Sequence, residues 1–280
     1  YSDVYSPGYF EINLTGGGSV QIAVSILTGA EPDALSPVKV TSADFRAATD
    51  SGIETNMLDA MRAFVVKRGN LKTVIAGYPW FLDWGRDTLI AARGLIAARE
   101  FRDDVKAIIR QFAMFADQGT IPNIIHGDTV GNRDTSDAQL WLFTAVKDLC
   151  KAERSNDFLK TEVRPGKTIL DQLEEIASDL IAGTPNGIKA DPESGLVFSP
   201  PHFTWMDTNY PAGTPREGYP VEIQALWFAA LRFLSSVSAT PGRWKTLAEK
   251  VRTSIRTLFL SDDGKYLSDC LHCTAGTPAA

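Results

Sequence analysis

The sequence predicts an all-α fold from about residue 42 onward, preceded by a short β segment. Apolar residues recur at helical spacing through most of this region. No β-rich segment alternates with the helices, which disfavours a parallel-sheet α/β fold. Three connections between the helices are long and contain no helical pattern. Together these features predict about seven helices and several long loops.

The first forty residues differ from the rest. Tyr9–Leu14 and Val20–Val24 read as two short strands around a glycine-rich turn, and residues 31–37 as a connector. Because a lone hairpin is marginal in water, we expect these strands to end a larger β domain. The N-terminus has neither an initiator Met nor the basic and apolar parts of a signal peptide. We therefore expect the chain to have been cut from a longer protein.

The predicted helices carry apolar residues three and four positions apart, as one buried helix face requires. Pro220 stands where one helix begins, and Thr240-Pro241 opens the next. Trp227 lies on the apolar stripe of its helix, so we place it in the core. The predicted helices span about 53–65, 88–100, 105–115, 136–151, 166–180, 223–234 and 244–258.

Composition excludes several classes of function. Of 280 residues, 44% are hydrophobic and 22% charged, as in folded domains. The net charge of −6, without a basic cluster, disfavours binding to nucleic acid. No apolar run of the roughly 18 residues that a membrane span needs is present. The three cysteines are too few for a disulfide framework, which points to a reducing cytoplasm.

The long connections, at 69–86, 117–134 and 184–219, are the predicted carriers of function. Loops of this length in a compact domain are usually functional or disordered, and their aromatic content disfavours disorder. Each combines Trp with carboxylates and with Arg or Asn near the start of a helix. That mixture suits sugars, since their C–H faces stack on aromatic rings and their hydroxyls bind carboxylates and guanidinium groups.

Structural alternatives stay open for several of these residues. Asp87 and Thr135 each suit a plain N-cap. Asp137 and Trp141 are four residues apart and share a helix face, as packing pairs do. The recurrence of the same mixture in three loops favours the functional interpretation.

Other chemistries have weaker support. His126, His202 and His272 are scattered, and Cys270-x-x-Cys273 lacks the second pair that a zinc site needs. The sequence contains no nucleophile elbow, phosphate-binding loop or dinucleotide motif. We therefore predict neither a metal nor an organic cofactor, and carboxylates are the best-supported chemical groups.

Four segments, in this order, resemble distinctive parts of a known family: AGYPWFLDWGRDT (76–88), IPN (121–123), TSDAQLW (135–141) and TWMDTNYPAGTPREGYPVEIQALW (204–227). They are similar to the amylo-α-1,6-glucosidase part of glycogen debranching enzymes, particularly of bacterial and archaeal type. The resemblance implies an (α/α)6 barrel of twelve helices with its site among the long loops. It also implies hydrolysis of the α-1,6-linked glucose at trimmed branch points of an α-glucan such as glycogen or limit dextrin, without a cofactor.

The resemblance also implies domains and residue roles. Residues 1–40 would be the end of an N-terminal β domain with its linker, and 41–280 the N-terminal part of the barrel. Asp207 matches the general acid of an inverting mechanism, and Arg86 and Asp87 match a pair that holds hydroxyls of the terminal glucose. Arg86 is also near enough in sequence to pair structurally with Asp83 or Asp87. Further positions that would line or support the pocket are Trp80, Trp84, Asn123, Asp137, Trp141, Trp205, Arg216 and Glu222.

The sequence departs from the family in two ways. Only about seven of the twelve helices are predicted, and the Glu presumed to be the general base has no counterpart before Ala280. We therefore expect the 280-residue chain alone to be inactive or to be part of a longer protein. Two alternatives remain: another (α/α)6 exo-glucosidase of glucoamylase or trehalase type, or a non-catalytic glycan-binding protein on the same fold.

Overall fold

The computed structural model describes residues 13, 16, 52–78, 80–127, 129–208 and 213–279. The predicted N-terminal strands, apart from Asn13, and the connector after them lie outside these residues. Contacts divide the chain into two units between Asp59 and Ala60. The second unit contains every feature discussed below except the first half of helix α1.

The described residues contain seven α-helices, close to the positions that the periodicity predicts. Pro220 is the N-cap residue of α6, and Pro241 is the first residue of α7, so both predicted helix starts are confirmed. The helices are α1 (Ile53–Phe64), α2 (Gly85–Ala97), α3 (Arg102–Phe115), α4 (Ala138–Glu153), α5 (Ile169–Ala182), α6 (Val221–Val237) and α7 (Pro241–Ser254).

Short antiparallel strands join the helices, and the prediction of an all-α fold omitted them. Each has two to four residues, too few for a polar–apolar alternation to be recognised in the sequence. They pair as β1–β2, β3–β4–β5, β6–β7, β8–β9 and β10–β11 once numbered along the chain. The strands are β1 (Val65–Arg68), β2 (Leu71–Val74), β3 (Asp83–Trp84), β4 (Ile124–His126), β5 (Thr129–Val130), β6 (Glu162–Arg164), β7 (Lys167–Thr168), β8 (Lys189–Ala190), β9 (Val197–Phe198), β10 (Gly218–Pro220) and β11 (Cys270–His272).

The helices pack in an alternating order. Helix α4 contacts both α2 and α6, whereas α3 packs on α2 and α7 on α6. Helix α4 is accordingly apolar on most sides, and Leu140, Ala145 and Leu149 are fully buried. Trp227 of α6 is fully buried, and its Nε1 donates to the Gly195 carbonyl oxygen at 3.1 Å, which confirms its place in the core. None of the described helices is both long and apolar enough to cross a membrane.

The start of α2 is held against the connection that precedes α4. Strand β3 pairs with β4, with Trp84 opposite Ile124, and the Gly85 amide donates to the Asn123 carbonyl oxygen at 3.0 Å. The backbones approach so closely that a Cβ at Gly85 would lie 2.4 Å from the Pro122 carbonyl oxygen. Only glycine fits at this position. The close approach brings the next residue of α2, Arg86, beside the connection that precedes α4.

The connection before α6 is fixed to the one before α4. The Ser136 amide donates to the Phe203 carbonyl oxygen at 2.7 Å, and the Ser136 and Ser199 hydroxyls are 2.8 Å apart. Ser199 in turn forms a backbone bridge with Gly218 of β10. These bonds bring the three long connections to one end of α2, α4 and α6.

We expect Gly85→Ala to lower the free energy of unfolding by about 1–3 kcal/mol, because the added methyl group forces the backbones apart. Gly94→Ala is the matched control, since Gly94 lies in the same helix with open space around its Cβ position. That change should stabilise the protein by about 0.5–1 kcal/mol through helix propensity. Denaturant unfolding of both variants checks this, and equal effects would contradict the close approach.

Candidate active site

Arg86 lies at the centre of the polar side chains that the long connections bring together. Its Nε donates to Asp137 Oδ2 at 2.7 Å, and its Nη1 donates to Asp207 Oδ2 at 2.8 Å. Its Nη2 lies 3.4 Å from Thr135 Oγ1. One guanidinium thus joins the first turn of α2, the N-cap of α4 and the connection before α6. The alternative pairing of Arg86 with Asp83 or Asp87 is wrong.

The charge of Arg86 is maintained in spite of its burial. Burial disfavours the charged guanidinium, but the charges and hydrogen bonds of Asp137 and Asp207 outweigh it, and the pKa of Arg86 is raised. The Arg86 side chain is 10% exposed, that of Asp137 4% and that of Asp207 33%. Asp137 is therefore the internal partner of Arg86, whereas Asp207 faces open space.

Asp137 uses both carboxylate oxygens within the protein. While Oδ2 accepts from Arg86, Oδ1 accepts from the Thr135 hydroxyl at 2.7 Å. Asp137 is also the N-cap residue of α4, but its side chain caps no amide; the first amide of the helix, that of Ala138, donates to Thr135 Oγ1 at 3.4 Å, so Thr135 is a capping side chain as well as a partner of Asp137 and Arg86. Because both of its carboxylate oxygens accept hydrogen bonds within the protein, Asp137 orients Arg86 and does not contact a ligand.

Beside Arg86 lies an open cavity of about 380 Å³, here called the Arg86 cavity. Asp87, Asp207 and the guanidinium supply its charged groups, and aromatic rings form much of the remaining wall. Its full lining is Ala76, Phe81, Trp84, Arg86, Asp87, Trp205 and Asp207. Large parts of the Phe81 and Trp205 rings are exposed, which makes them available to stack on a ligand.

A second cavity of about 280 Å³, here called the Asn123 cavity, shares Trp84 and Asp207 with the first. Its wall combines amide, carboxylate, imidazole and aromatic groups from two long connections. The lining residues are Trp84, Asn123, Asn132, Asp134, Pro201, His202, Phe203 and Asp207. Asp207 therefore lies on the wall of both cavities.

Asp87 presents an exposed carboxylate at the N-terminus of α2. It is the third residue of the helix, and Trp84 is the N-cap residue, so the plain N-cap interpretation of Asp87 is wrong. Among the described residues, nothing forms a hydrogen bond or ion pair with its side chain. The positive end of the helix dipole stabilises its charge, and both oxygens are free to accept from ligand hydroxyls.

Arg216 forms a separate ion-pair cluster. Its side chain is 1% exposed and donates to both oxygens of Glu222 and both oxygens of Asp269. Its Nη1 also lies 3.3 Å from Thr204 Oγ1, next to Trp205. The hydrogen bonds to Glu222, stronger than the opposing effect of burial, raise the pKa of Arg216. The cluster ties β11 and the start of α6 to the loop that carries Asp207.

Comparison with known proteins places the chain in a family. The family model described as amylo-alpha-1,6-glucosidase matches residues 59–278. The chain belongs to the amylo-alpha-1,6-glucosidase family. It is also 25% identical over 236 residues to the glycogen debranching enzyme of Saccharomyces cerevisiae. That match covers 64% of this chain and 15% of the yeast protein, so the chain spans a small part of this relative's length.

In this family member, the residues predicted for the site lie in several different environments. Trp84, Arg86, Asp87, Trp205 and Asp207 line the Arg86 cavity, and Asn123 lines the other. Asp137 lies behind Arg86, and Arg216 and Glu222 belong to the separate cluster. Two tryptophans lie on neither wall. Trp80 is 82% exposed, and the Trp141 ring faces Arg93, whose guanidinium is 5.5 Å from the ring centroid.

The sequence interpretation missed several residues of the two cavities. Phe81 could have been found, because it lies between Trp80 and Trp84 in a segment already singled out. His202 and Phe203 gave no signal, since only the folded chain brings them beside Asn123. The other missed residues are Ala76, Asn132, Asp134, Pro201, the Arg86 partner Thr135 and the Arg216 partner Asp269.

Neither a metal cluster nor a disulfide occurs in the described part of the chain. No three His, Cys, Asp or Glu side chains there are grouped as metal ligands. Cys150, Cys270 and Cys273 are free thiols, and burial raises the pKa of Cys270 to about 12.

We expect Asp137→Asn to lower the free energy of unfolding by about 1–3 kcal/mol, because it removes one charge from a buried ion pair. Asp148→Asn in the same helix is the control, since its partner Arg93 is 40% exposed. An exposed pair of this kind contributes at most about 1 kcal/mol. Thermal or denaturant unfolding measures both losses, and a smaller loss for Asp137→Asn than for the control would contradict the assigned role.

Proposed function

We propose that this member of the amylo-alpha-1,6-glucosidase family is a glycoside hydrolase that removes α-1,6-linked glucose at branch points of glycogen or limit dextrin. The position of Asp207 on the wall shared by two cavities carries the proposal. A glycosidic bond has a sugar on each side, so the acid that cleaves it must lie between two binding sites. Asp207 is the only described carboxylate that lines both cavities.

The terminal glucose is proposed to bind in the Arg86 cavity. Exposed aromatic faces of Trp205 and Phe81 suit its C–H surfaces, and the carboxylate of Asp87, which has no partner among the described residues, suits its hydroxyls. Arg86 is held rigidly from behind by Asp137, so that its remaining partner, Asp207, is fixed at the reacting bond. Preorganisation of this kind favours catalysis because little reordering accompanies the reaction.

The proposed step is a single displacement with inversion. Asp207 donates its proton to the glycosidic oxygen as the bond from that oxygen to the anomeric carbon breaks. A water oxygen bonds to the anomeric carbon from the opposite face, and a second carboxylate takes its proton. Arg86 donates to Oδ2 of Asp207, so the proton to be transferred belongs on Oδ1, which no described residue bonds.

Glu222 is unsuited to the role of the second carboxylate, because Arg216 donates to both of its oxygens. Asp87 is assigned to hydroxyl binding. We therefore assign the general base to none of the described residues.

We also propose that residues 41–280 are the N-terminal part of an (α/α)6 barrel and that residues 1–40 belong to a preceding β domain. The packing of α2 on α4 and of α4 on α6, with α3 against both α2 and α4 and with α7 against α6, supports an inner and an outer layer of helices. The N-terminal ends of the proposed inner helices carry Arg86 and Asp137 and follow Asp207, as a site at the mouth of such a barrel requires.

The test is release of glucose from a limit dextrin by the full-length gene product. Maltose and trehalose serve as comparison substrates, because a glucoamylase- or trehalase-type enzyme would prefer one of them. NMR of the first product formed identifies the mechanism, since inversion of an α-linkage gives β-glucose. Binding of the dextrin without turnover would instead identify a glycan-binding protein.

We expect Asp207→Asn to reduce kcat by about 10²–10⁴-fold while leaving the Kd for limit dextrin nearly unchanged. The amide retains the shape of the side chain but lacks the acidic proton that the leaving oxygen needs. Steady-state kinetics and calorimetric binding measure the two effects separately. Equal losses in both would make Asp207 a sugar ligand only.

We expect Asp87→Ala to raise KM by about 10–100-fold, the loss of a charge-assisted hydrogen bond to a hydroxyl, with a smaller fall in kcat. Asp103→Ala is the control, because Asp103 is also an acidic first-turn residue, in α3, and its side chain is 92% exposed. It should leave KM unchanged. An unchanged KM for Asp87→Ala would show that Asp87 contributes only to the stability of the helix.

A further inference from the structure

A third cavity lies between the C-terminal residues of α4 and α6 and is separate from the proposed active site. Its volume is about 400 Å³, and it is here called the Lys151 cavity. Helix α4 has 16 residues, so at about 1.5 Å per residue its two ends are about 24 Å apart. Because Asp137 is at the N-terminal end of that helix, the Lys151 cavity is remote from Arg86 and Asp207.

The charged groups on the wall of the Lys151 cavity are all cationic. They are Lys147 and Lys151 of α4 and Arg154, the C-cap residue of that helix, and no described carboxylate lines the cavity. No described residue forms a hydrogen bond or an ion pair with any of these three side chains. The whole chain has a net charge of −6, so the wall has the opposite sign to the protein that carries it.

The acidic side chains nearest in sequence do not neutralise this wall. Each of them already pairs with a cation outside the cavity: Asp148 with Arg93, Glu153 with Lys106 and Asp157 with Lys160. The three cations of the wall therefore lack a counter-charge among the described residues.

Hydrogen bonding to the end of the helix does not account for the cations either. The carbonyl oxygens of Cys150 and Lys151 accept from the backbone amides of Arg154 and Ser155. None of the three cationic side chains donates to a carbonyl oxygen of a described residue. Their donor groups thus remain available to a ligand.

The arrangement is locally unfavourable in the ligand-free protein. Lys147 and Lys151 are four residues apart on one helix face, where like charges repel each other. Arg154 has a positive φ of 54°, at a position where glycine or asparagine is usual. Departures of this kind from local preference are typical of functional sites.

The rest of the wall suits the organic part of an anion. Phe233 and Val237 supply apolar surface, and the exposed side-chain amide of Asn156 supplies a further donor. The volume lies within the range of small-ligand sites, and a bare phosphate ion would fill only a small part of it. Guanidinium and ammonium groups bind phosphate through charge-assisted hydrogen bonds.

We propose that the Lys151 cavity binds a small organic phosphate monoester. The phosphate group lies among Lys147, Lys151 and Arg154, and the organic part lies against Phe233 and Val237. A concave site with three cations fits one small molecule, whereas an extended polyanion such as nucleic acid needs a longer basic surface. The site goes beyond the proposed function, because none of its residues belongs to the proposed active site.

Calorimetric titration of the full-length gene product with ribose 5-phosphate tests the proposal. We expect saturable binding, whereas ribose, which lacks the phosphate, should not compete for the site. Inorganic phosphate, which lacks the organic part, should bind at least about 10-fold more weakly, because it leaves the apolar surface of the cavity uncovered. Absence of binding, or equal affinity for ribose 5-phosphate and either of the other two compounds, would overturn the proposal.

Variants locate the binding in the cavity. Lys151→Ala and Arg154→Gly should each raise the Kd for ribose 5-phosphate by about 10–100-fold, the loss of a charge-assisted hydrogen bond. Lys160→Ala is the matched control, since Lys160 is also exposed and nearby in sequence but pairs with Asp157 outside the cavity. It should change the Kd by less than about twofold. An equal loss in the control would make the effect one of net charge alone and would contradict the site.

Stability separates a binding role of these cations from a structural one. Lys151→Ala removes a like-charge repulsion and Arg154→Gly relieves an unfavourable φ, so the Tm of the ligand-free protein should be unchanged or higher in both. Saturating ribose 5-phosphate should raise the Tm of the wild type more than that of either variant. A large fall in the ligand-free Tm would show that the cations are structural and would contradict the proposal.

Discussion

The geometry of the site depends on one buried guanidinium. Arg86 is bonded to residues 49, 51 and 121 positions away in the sequence, and no other described side chain joins the first turn of α2 to both of the other connections. Ion pairs with two carboxylates of unequal exposure offset the desolvation free energy of burying its charge. Of the two carboxyl groups around Arg86, Asp207 is the more exposed. The same interaction that anchors the loops therefore directs a carboxylate at the cavities.

A second buried arginine, Arg216, has a structural role. Arg216 is almost completely buried and is surrounded by Glu222, Asp269 and Thr204, which leaves its guanidinium no freedom to meet a ligand. Its backbone has a positive φ of 50°, a conformation uncommon outside glycine, and the two ion pairs hold it there. The difference between the two arginines lies in their partners. Every carboxylate oxygen around Arg216 is engaged, whereas Asp207 next to Arg86 has one oxygen without a described partner.

The helices were predictable from the sequence because their signal is local. Apolar spacing identified five of the seven described helices, two more were predicted near 88–100 and 136–151, and Pro220 and Pro241 located two of the starts. Strands of two to four residues carry no comparable periodicity and were missed. The residue types of the site were predictable from the sequence, but the ion pairs between these residues were not. Neighbours in sequence suggested Asp83 or Asp87 as partners of Arg86, yet Asp83 pairs with Arg68 and Asp87 has no described partner. Pairing over long sequence separations is set by packing, which a single sequence does not display.

The two cavities illustrate why a site can be less stable than the scaffold that holds it. Around Asn123, the backbone is fixed by the Gly85 and Asn132 hydrogen bonds, while the side-chain Oδ1 is buried and has no hydrogen-bond partner among the described residues. A scaffold selected for stability alone would place an apolar residue there, since burying an unpaired amide is unfavourable. The backbone hydrogen bonds that fix the start of α2 against this connection therefore also hold the side chain of Asn123 in an unfavourable position.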